Sequence, residues 1–218
     1  MTVQRFASTV TFWPFFLLCG ILVVILHRLL RVIYNKCMEF IKTEIEGVWI
    51  IQPKRYGDAR GYFTETFRQD LFDAHIGHVH FVQDNESFST RGVLRGLHFQ
   101  RGEWSQAKLV RVSQGRVVDV AVDLRAASPT FGRHVMVELD AESGRQLFIP
   151  RGFAHGFVVL SDVAQFQYKV DNVYAPQAEA TLAWNDPALD IQWPVQGLQL
   201  LLSDKDQQGV GLNDVYGF

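Results

Sequence analysis

Beyond residue 37 this sequence of 218 residues contains no cysteine, because Cys19 and Cys37 are its only two. The body can therefore form no disulfide, hold no thiolate-bound metal and use no cysteine nucleophile. Carboxylates are missing from the other end, where the first acidic residue is Glu39. Residues 1–37 carry Arg5, Arg28, Arg31 and Lys36 for +4, and the rest sets 17 Lys plus Arg against 23 Asp plus Glu for −6. A mildly acidic body lacks the basic face expected of a nucleic-acid binder. Glycine-rich nucleotide loops are absent too. Hydrophobic residues at 48% and charged residues at 20%, with 17 Gly and 7 Pro, exclude a disordered, collagen-like or low-complexity chain. The length suits one ordinary domain with a full core.

What the first 37 residues do have is an uncharged run of 21 residues from Phe6 to Leu26. At about 1.5 Å per residue, such a helix would just cross a bilayer. Arg28, Arg31 and Lys36 follow it and only Arg5 precedes it, a bias that leaves the body in the cytoplasm. No small-residue cleavage site follows, which argues against a secretory signal. Met38-Glu39-Phe40-Ile41-Lys42 opens the acidic, strand-patterned region. The preferred reading makes residues 1–37 a mis-assigned start; the alternative makes them a membrane anchor, so a membrane is a partner only if residues 6–26 are a genuine anchor. In either case the chemistry belongs to a domain at residues 38–218.

That domain shows short apolar alternation punctuated by Gly, Pro, Asn and Asp, with hardly any 3.6-residue period. Val118, Val120, Val122 and Leu124 fall on one face of a strand and Asp119, Ala121 and Asp123 on the other, which predicts a half-buried strand. Similar runs occur at residues 47–51, 109–112, 134–139, 146–149, 156–160 and 164–170, separated by turn signals such as Pro150-Arg151-Gly152. One short helix is expected over residues 67–75. The pattern predicts an all-β antiparallel sandwich of the jelly-roll kind with few short helices, its site in the cavity between sheets.

Histidines settle most of the metal question. His75, His78 and His80 lie in a polar segment without acids at ligand spacing, and His134 opens a strand alone. All four read as surface or satisfied core residues rather than ligands. His98 and His155 each follow a glycine-bearing turn in apolar strand context, and Pro150-Arg151-Gly152-Phe153-Ala154-His155 fits the second motif of cupins, Pro-x-Gly-x-x-His. The first cupin metal motif requires His-x-His, and here the second histidine is replaced by Gln100. One imidazole short, the site reads as a metal-free cupin. Acid–base chemistry at carbon remains available, and a histidine facing a tyrosine across a pocket suits it. Phe166, Tyr168 and Val170 share one face of their strand, and Lys108 stands between Ala107 and Leu109. Taken alone, Tyr168 also reads as a core tyrosine and Lys108 as a snorkelling one.

The domain resembles the dTDP-4-dehydrorhamnose 3,5-epimerases. Matching stretches include Tyr56-Gly57-Asp58-Ala59-Arg60-Gly61-Tyr62-Phe63, Phe81-Val82-Gln83-Asp84-Asn85, Val93-Leu94-Arg95-Gly96-Leu97-His98-Phe99-Gln100, Lys108-Leu109-Val110-Arg111, Ile149 through Phe157, Phe166-Gln167-Tyr168-Lys169 and Trp184-Asn185-Asp186-Pro187. They run in order from Met38 to about Asp206, and residues 1–37 have no counterpart. The resemblance implies a cofactor-independent isomerase acting on dTDP-4-dehydro-6-deoxyglucose. The ketone at carbon 4 acidifies the protons on carbons 3 and 5, so inversion needs a base, an acid on the opposite face and a group to hold the enolate. It implies His98 as base, Tyr168 as acid, Lys108 at the enolate oxygen and Asp206 supporting the histidine. It further implies substrate contacts at Arg60, Glu65, Gln83, Asp84, Asn85, Arg95, His155, Glu179 and Lys205, and a homodimer that shares strands. Single-centre epimerases, keto-isomerases of other dTDP-sugars and a non-catalytic sugar-nucleotide-binding cupin remain as alternatives. Strict alternation would point Arg95 and His98 to opposite faces, so both can line one pocket only if the strand bends near Gly96.

Overall fold

The computed structural model describes residues 37–215, so the apolar run from Phe6 to Leu26 lies outside the described residues. The described chain forms β1 (Met38–Lys42), β2 (Trp49–Pro53), the hairpin β3 (Arg55–Asp58) and β4 (Gly61–Thr64), helix α1 (Gln69–His75), β5 (Gln83–Thr90) and β6 (Leu94–Gln100). There follow β7 (Lys108–Gln114), β8 (Arg116–Asp123), β9 (His134–Asp140), β10 (Gln146–Ile149), β11 (Phe153–Val159), β12 (Val163–Val170), β13 (Glu179–Thr181) and a short helix α2 (Asp204–Gln207). One sheet has the order β1-β2-β10-β7-β12-β5 and the other β13-β6-β11-β8-β9. Pairing is antiparallel along both. The expected jelly-roll sandwich is what the chain builds.

Two apolar layers hold the sandwich together. The inner one joins Val110, Val112 and Phe166 of the first sheet to Val117, Ala121, Phe153 and Phe157 of the second. Phe157 and Phe166 stack across the gap with centroids 4.2 Å apart. The outer layer sets Val118, Val120 and Val122 of β8 against Leu182, Leu189 and Trp193 of the C-terminal segment.

This second layer corrects the expectation for β8. Every residue from Val117 to Asp123 is buried, because residues beyond β13 cover the face of Val118, Val120 and Val122 while the face of Asp119, Ala121 and Asp123, expected to meet solvent, turns to the inner layer. Asp119 and Asp123 thus sit in the interior rather than on a wet face. Asp123 satisfies its carboxylate locally, accepting from Arg125 Nε at 2.8 Å, Ser128 Oγ at 2.6 Å and Thr130 Oγ1 at 2.6 Å. Burial pushes its carboxyl up, yet these bonds outweigh it and bring the value down to about 2.

Candidate active site

Strand β6 reaches the interior by an irregularity its glycine permits. His98 stands opposite His155 on β11 and Arg95 opposite Phe157, so three steps on β6 match two on β11. The additional residue is a bulge, and it turns Arg95 and His98 to the same face. Gly96 adopts φ +127°, and a Cβ there would lie 2.5 Å from the Cα of Gly156. Only glycine fits so close an approach in that conformation.

The bend opens a cavity of about 360 Å³ between the sheets. His98, His155 and Arg95 line it from the second sheet, Lys108 and Tyr168 from the first, and Glu179 and Lys205 from the C-terminal part.

Asp206 determines how His98 is held. Its carboxylate is 3% exposed and accepts from the backbone N–H of Gly96 at 3.0 Å and from Ser203 Oγ at 2.6 Å, and it lies 2.7 Å from His98 Nε2. Burial drives its carboxyl up, but the bonds from His98, Ser203 and Gly96 prevail and hold it well below the usual carboxylate range. An ionised carboxylate only accepts, so Nε2–H donates and the lone pair is left on Nδ1. Burial lowers the His98 imidazole below its ordinary value against the opposing pull of Asp206. The result is a neutral, oriented base.

Lys108 is 8% exposed, and its Nζ donates to the carbonyl of His98 at 3.4 Å. Burial pulls it down to about 8, while Asp119 and Glu179 push back. Tyr168 is half-buried on β12, the sheet opposite His98; burial raises its phenol, which therefore keeps its proton at neutral pH. Glu179 on β13 accepts from Lys205 Nζ and, at 2.9 Å, from Tyr174 OH. Burial raises the Glu179 carboxyl, but these two bonds bring it below its ordinary value.

Arg60, Glu65, Gln83, Asp84 and Asn85 are not brought to this cavity. Arg60 lies at the exposed β3–β4 turn, paired with Asp58, and Glu65 pairs with Arg68 at 3.5 Å. Gln83 Nε2 donates to Asn85 Oδ1 at 2.8 Å. Asp84 and Asn85 line a separate hollow beside Arg111, Gln167 and Lys169, where Lys169 Nζ bonds Asp84 at 2.8 Å.

Three features, two lining the cavity and one behind it, escaped the reading of the sequence. Asp119 passed for the polar face of a half-wet strand, and only its i+2 relation to Ala121 in an apolar run hinted otherwise. Tyr174 carried no pattern at all, lying in an irregular segment beyond β12. Gln100 was read as a vacant ligand position, whereas it is 5% exposed and ties down that segment. Its Nε2 donates to the carbonyls of Trp104 at 2.7 Å and Val173 at 3.1 Å, and its Oε1 accepts from the N–H of Ala175 at 2.7 Å. Among the described residues no group of three His, Cys, Asp or Glu is arranged to hold a metal ion.

Comparison with known proteins adds an independent finding. A family model described as dTDP-4-dehydrorhamnose 3,5-epimerase matches residues 42–214. A protein of that description from Shigella flexneri is 56% identical over 173 residues, which cover 79% of this chain and 94% of the relative. The crystal structure of a dTDP-6-deoxy-D-glucose-3,5-epimerase from Legionella pneumophila, in complex with dTDP-4-keto-L-rhamnose, superposes with a TM-score of 0.79 at 49% identity, covering 82% of this chain and 95% of that one. A 3'-monoepimerase from Streptomyces bikiniensis, in complex with dTDP-quinovose, gives a TM-score of 0.76 at 36% identity, over 79% of this chain and 87% of that one.

Proposed function

We propose, from the premise that this chain belongs to the dTDP-4-dehydrorhamnose 3,5-epimerase family, that it converts dTDP-4-dehydro-6-deoxy-D-glucose to dTDP-4-dehydro-L-rhamnose. The chain is an isomerase of a nucleotide sugar. His98 removes a proton from the carbon next to the ketone, Lys108 receives the charge that develops on the ketone oxygen, and Tyr168 returns a proton from the other face. What carries this reading is one arrangement: a carboxylate-held histidine on one sheet faces a protonated tyrosine on the other across a single cavity. Arg95 and Lys205 supply cations for the diphosphate, and the planar fork of arginine suits two of its oxygens at once. The catalytic unit is residues 38–218, in keeping with a family match that begins at residue 42, and it works in the cytoplasm; were residues 6–26 an anchor, the charge bias around them would leave it on the same side. Product formed in the presence of a 4-keto reductase and characterised by NMR tests the proposal. A sugar inverted at carbons 3 and 5 agrees with it, inversion at carbon 3 alone moves the chain to the monoepimerases, and no inversion removes it.

Tyr168→Phe separates the two proton-transfer steps. Loss of a general acid lowers net epimerisation by about 10²-fold. Exchange of the base-accessible proton with solvent declines less, because His98 is untouched. Equal losses in both assays would remove the case for a distinct acid.

The pH profile of kcat/KM follows from the same groups, since it reports the free enzyme. His98 must be neutral, so the acid limb lies below the ordinary histidine value that burial has depressed. Lys108 must be charged, so activity falls again as pH rises through about 8. An alkaline limb near the ordinary lysine value would contradict the assignment.

A second copy of the chain accounts for the residues left outside the cavity. Arg60 lies on a hairpin that exposes Tyr62 at 58% and Phe63 at 70%, and the edge strand β5 exposes Phe88 at 60%. Aromatic side chains of this size at a sheet edge favour burial against another protein surface. In a homodimer they would carry Arg60, Glu65 and the Gln83–Asn85 segment to the neighbouring cavity. Light scattering should return twice 24.9 kDa. Mixing inactive His98→Ala and Arg60→Ala chains, with subunit exchange, should restore part of the activity; a monomer without complementation would refute the shared site.

A further inference from the structure

Asp119 is fully buried on β8, with 0% exposure, behind His155, which lines the cavity. Register places it beside Phe157 of β11, two residues from His155 and therefore on the same face. Both of its oxygens reach His155 Nε2, at 3.1 and 2.9 Å. An isolated buried carboxylate is costly, and it persists where hydrogen bonds and a countercharge meet it.

His155 lines the cavity together with His98, Lys108 and Tyr168. Burial pulls the Lys108 ammonium down, and the negative charges of Asp119 and Glu179 oppose that pull. Glu179 is already engaged by Lys205 and Tyr174, whereas Asp119 is bonded to His155.

Resting on the epimerase reading, we propose that Asp119 is the positioning residue for His155. It holds His155 with the Nε2 proton turned to the wall, so that Nδ1 is the nitrogen His155 offers to the substrate. The pattern repeats the one around His98, where Asp206 takes Nε2–H. Each imidazole that lines the cavity is thus backed by its own carboxylate, and each has the same nitrogen withheld.

Asp119→Asn keeps the shape and removes the charge. In the full-length variant the His155 ring loses the charged acceptor that fixes its tautomer, so KM for the nucleotide sugar rises about tenfold while kcat stays within a few-fold. A KM left where the unaltered protein has it would overturn the proposal, since a merely structural residue would lower activity without this split. The unaltered protein gives a second reading that needs neither turnover nor a folded variant. Long-range nitrogen–proton NMR of 15N-histidine-labelled protein should show His155 protonated at Nε2, and a ring protonated at Nδ1 alone would overturn it. Failure of the epimerase reading is a different outcome, seen as no turnover by the unaltered chain while the His155 spectrum is as expected.

Discussion

His98→Ala lowers kcat by about 10³-fold or more and leaves binding of the nucleotide sugar within a few-fold. The expectation rests on what the side chain does and does not touch. A positioned general base contributes roughly 10²–10⁴ in rate, and the variant lacks the whole imidazole that Asp206 orients. Binding is left to Arg95, Lys205 and their neighbours, which do not bond His98. His98 contributes little to the core, with a side chain 28% exposed, so the variant should fold. Stopped-flow or coupled turnover together with calorimetric binding of dTDP checks both halves. Turnover within tenfold of the unaltered enzyme would refute the base assignment.

Lys108→Met should move activity and stability in opposite directions. Removing a fixed charge from a developing oxyanion costs about 10²–10³ in kcat. The same change relieves the folded state of a cation it holds at a cost. The ammonium titrates at 10.5 ordinarily and at about 8 in this site, which corresponds to something on the order of 3 kcal/mol of native-state destabilisation when both states are protonated. The sign follows from proton binding: below pH 8 the folded and unfolded chains both carry the proton, and the full cost is present. Between 8 and 10.5 the unfolded chain binds more protons than the folded one, so the stability of the unaltered protein rises with pH. The advantage of Lys108→Met is therefore largest at pH 7 and vanishes above 10.5. Urea unfolding at pH 7 and at pH 10 measures it, and equal midpoints for the two proteins at pH 7 would show that Lys108 bears no such cost. Losing stability to hold a reactive charge is a trade that active sites commonly make.

How much of this could be read beforehand depends on which forces leave a local trace. Alternation located β10 to the residue and β7, β9 and β12 within one to three residues, since each has one face on the inner layer. The helix read at residues 67–75 begins at Gln69, because Arg68 is still extended. Strands β3, β4 and β5 were legible only as matching family motifs: their exposed or alternating polar side chains give no apolar run of their own. The burial of both faces of β8 was not legible, because it depends on a C-terminal segment some sixty residues away that has almost no regular structure. The site followed the same division. A bend at Gly96 was required once Arg95 and His98 were assigned to one pocket, and the bulge meets that requirement. The partnership of His98 with Asp206 joins residues 108 apart, and no periodicity reports a contact of that range; the family resemblance alone suggested it. Asp119 fell within a stretch shared with the family but was read only as the polar face of its strand, since the histidine it holds lies 36 residues away on the neighbouring strand β11.

The central claim is that this cavity removes and returns protons on both sides of a ketone, and solvent deuterium records it directly. The full chain is incubated with dTDP-4-dehydro-6-deoxyglucose in deuterated water, and the recovered sugar nucleotide is weighed by mass spectrometry and its labelled positions assigned by NMR. Two deuteriums, at carbons 3 and 5, are expected. No deuterium above an enzyme-free control would contradict the account.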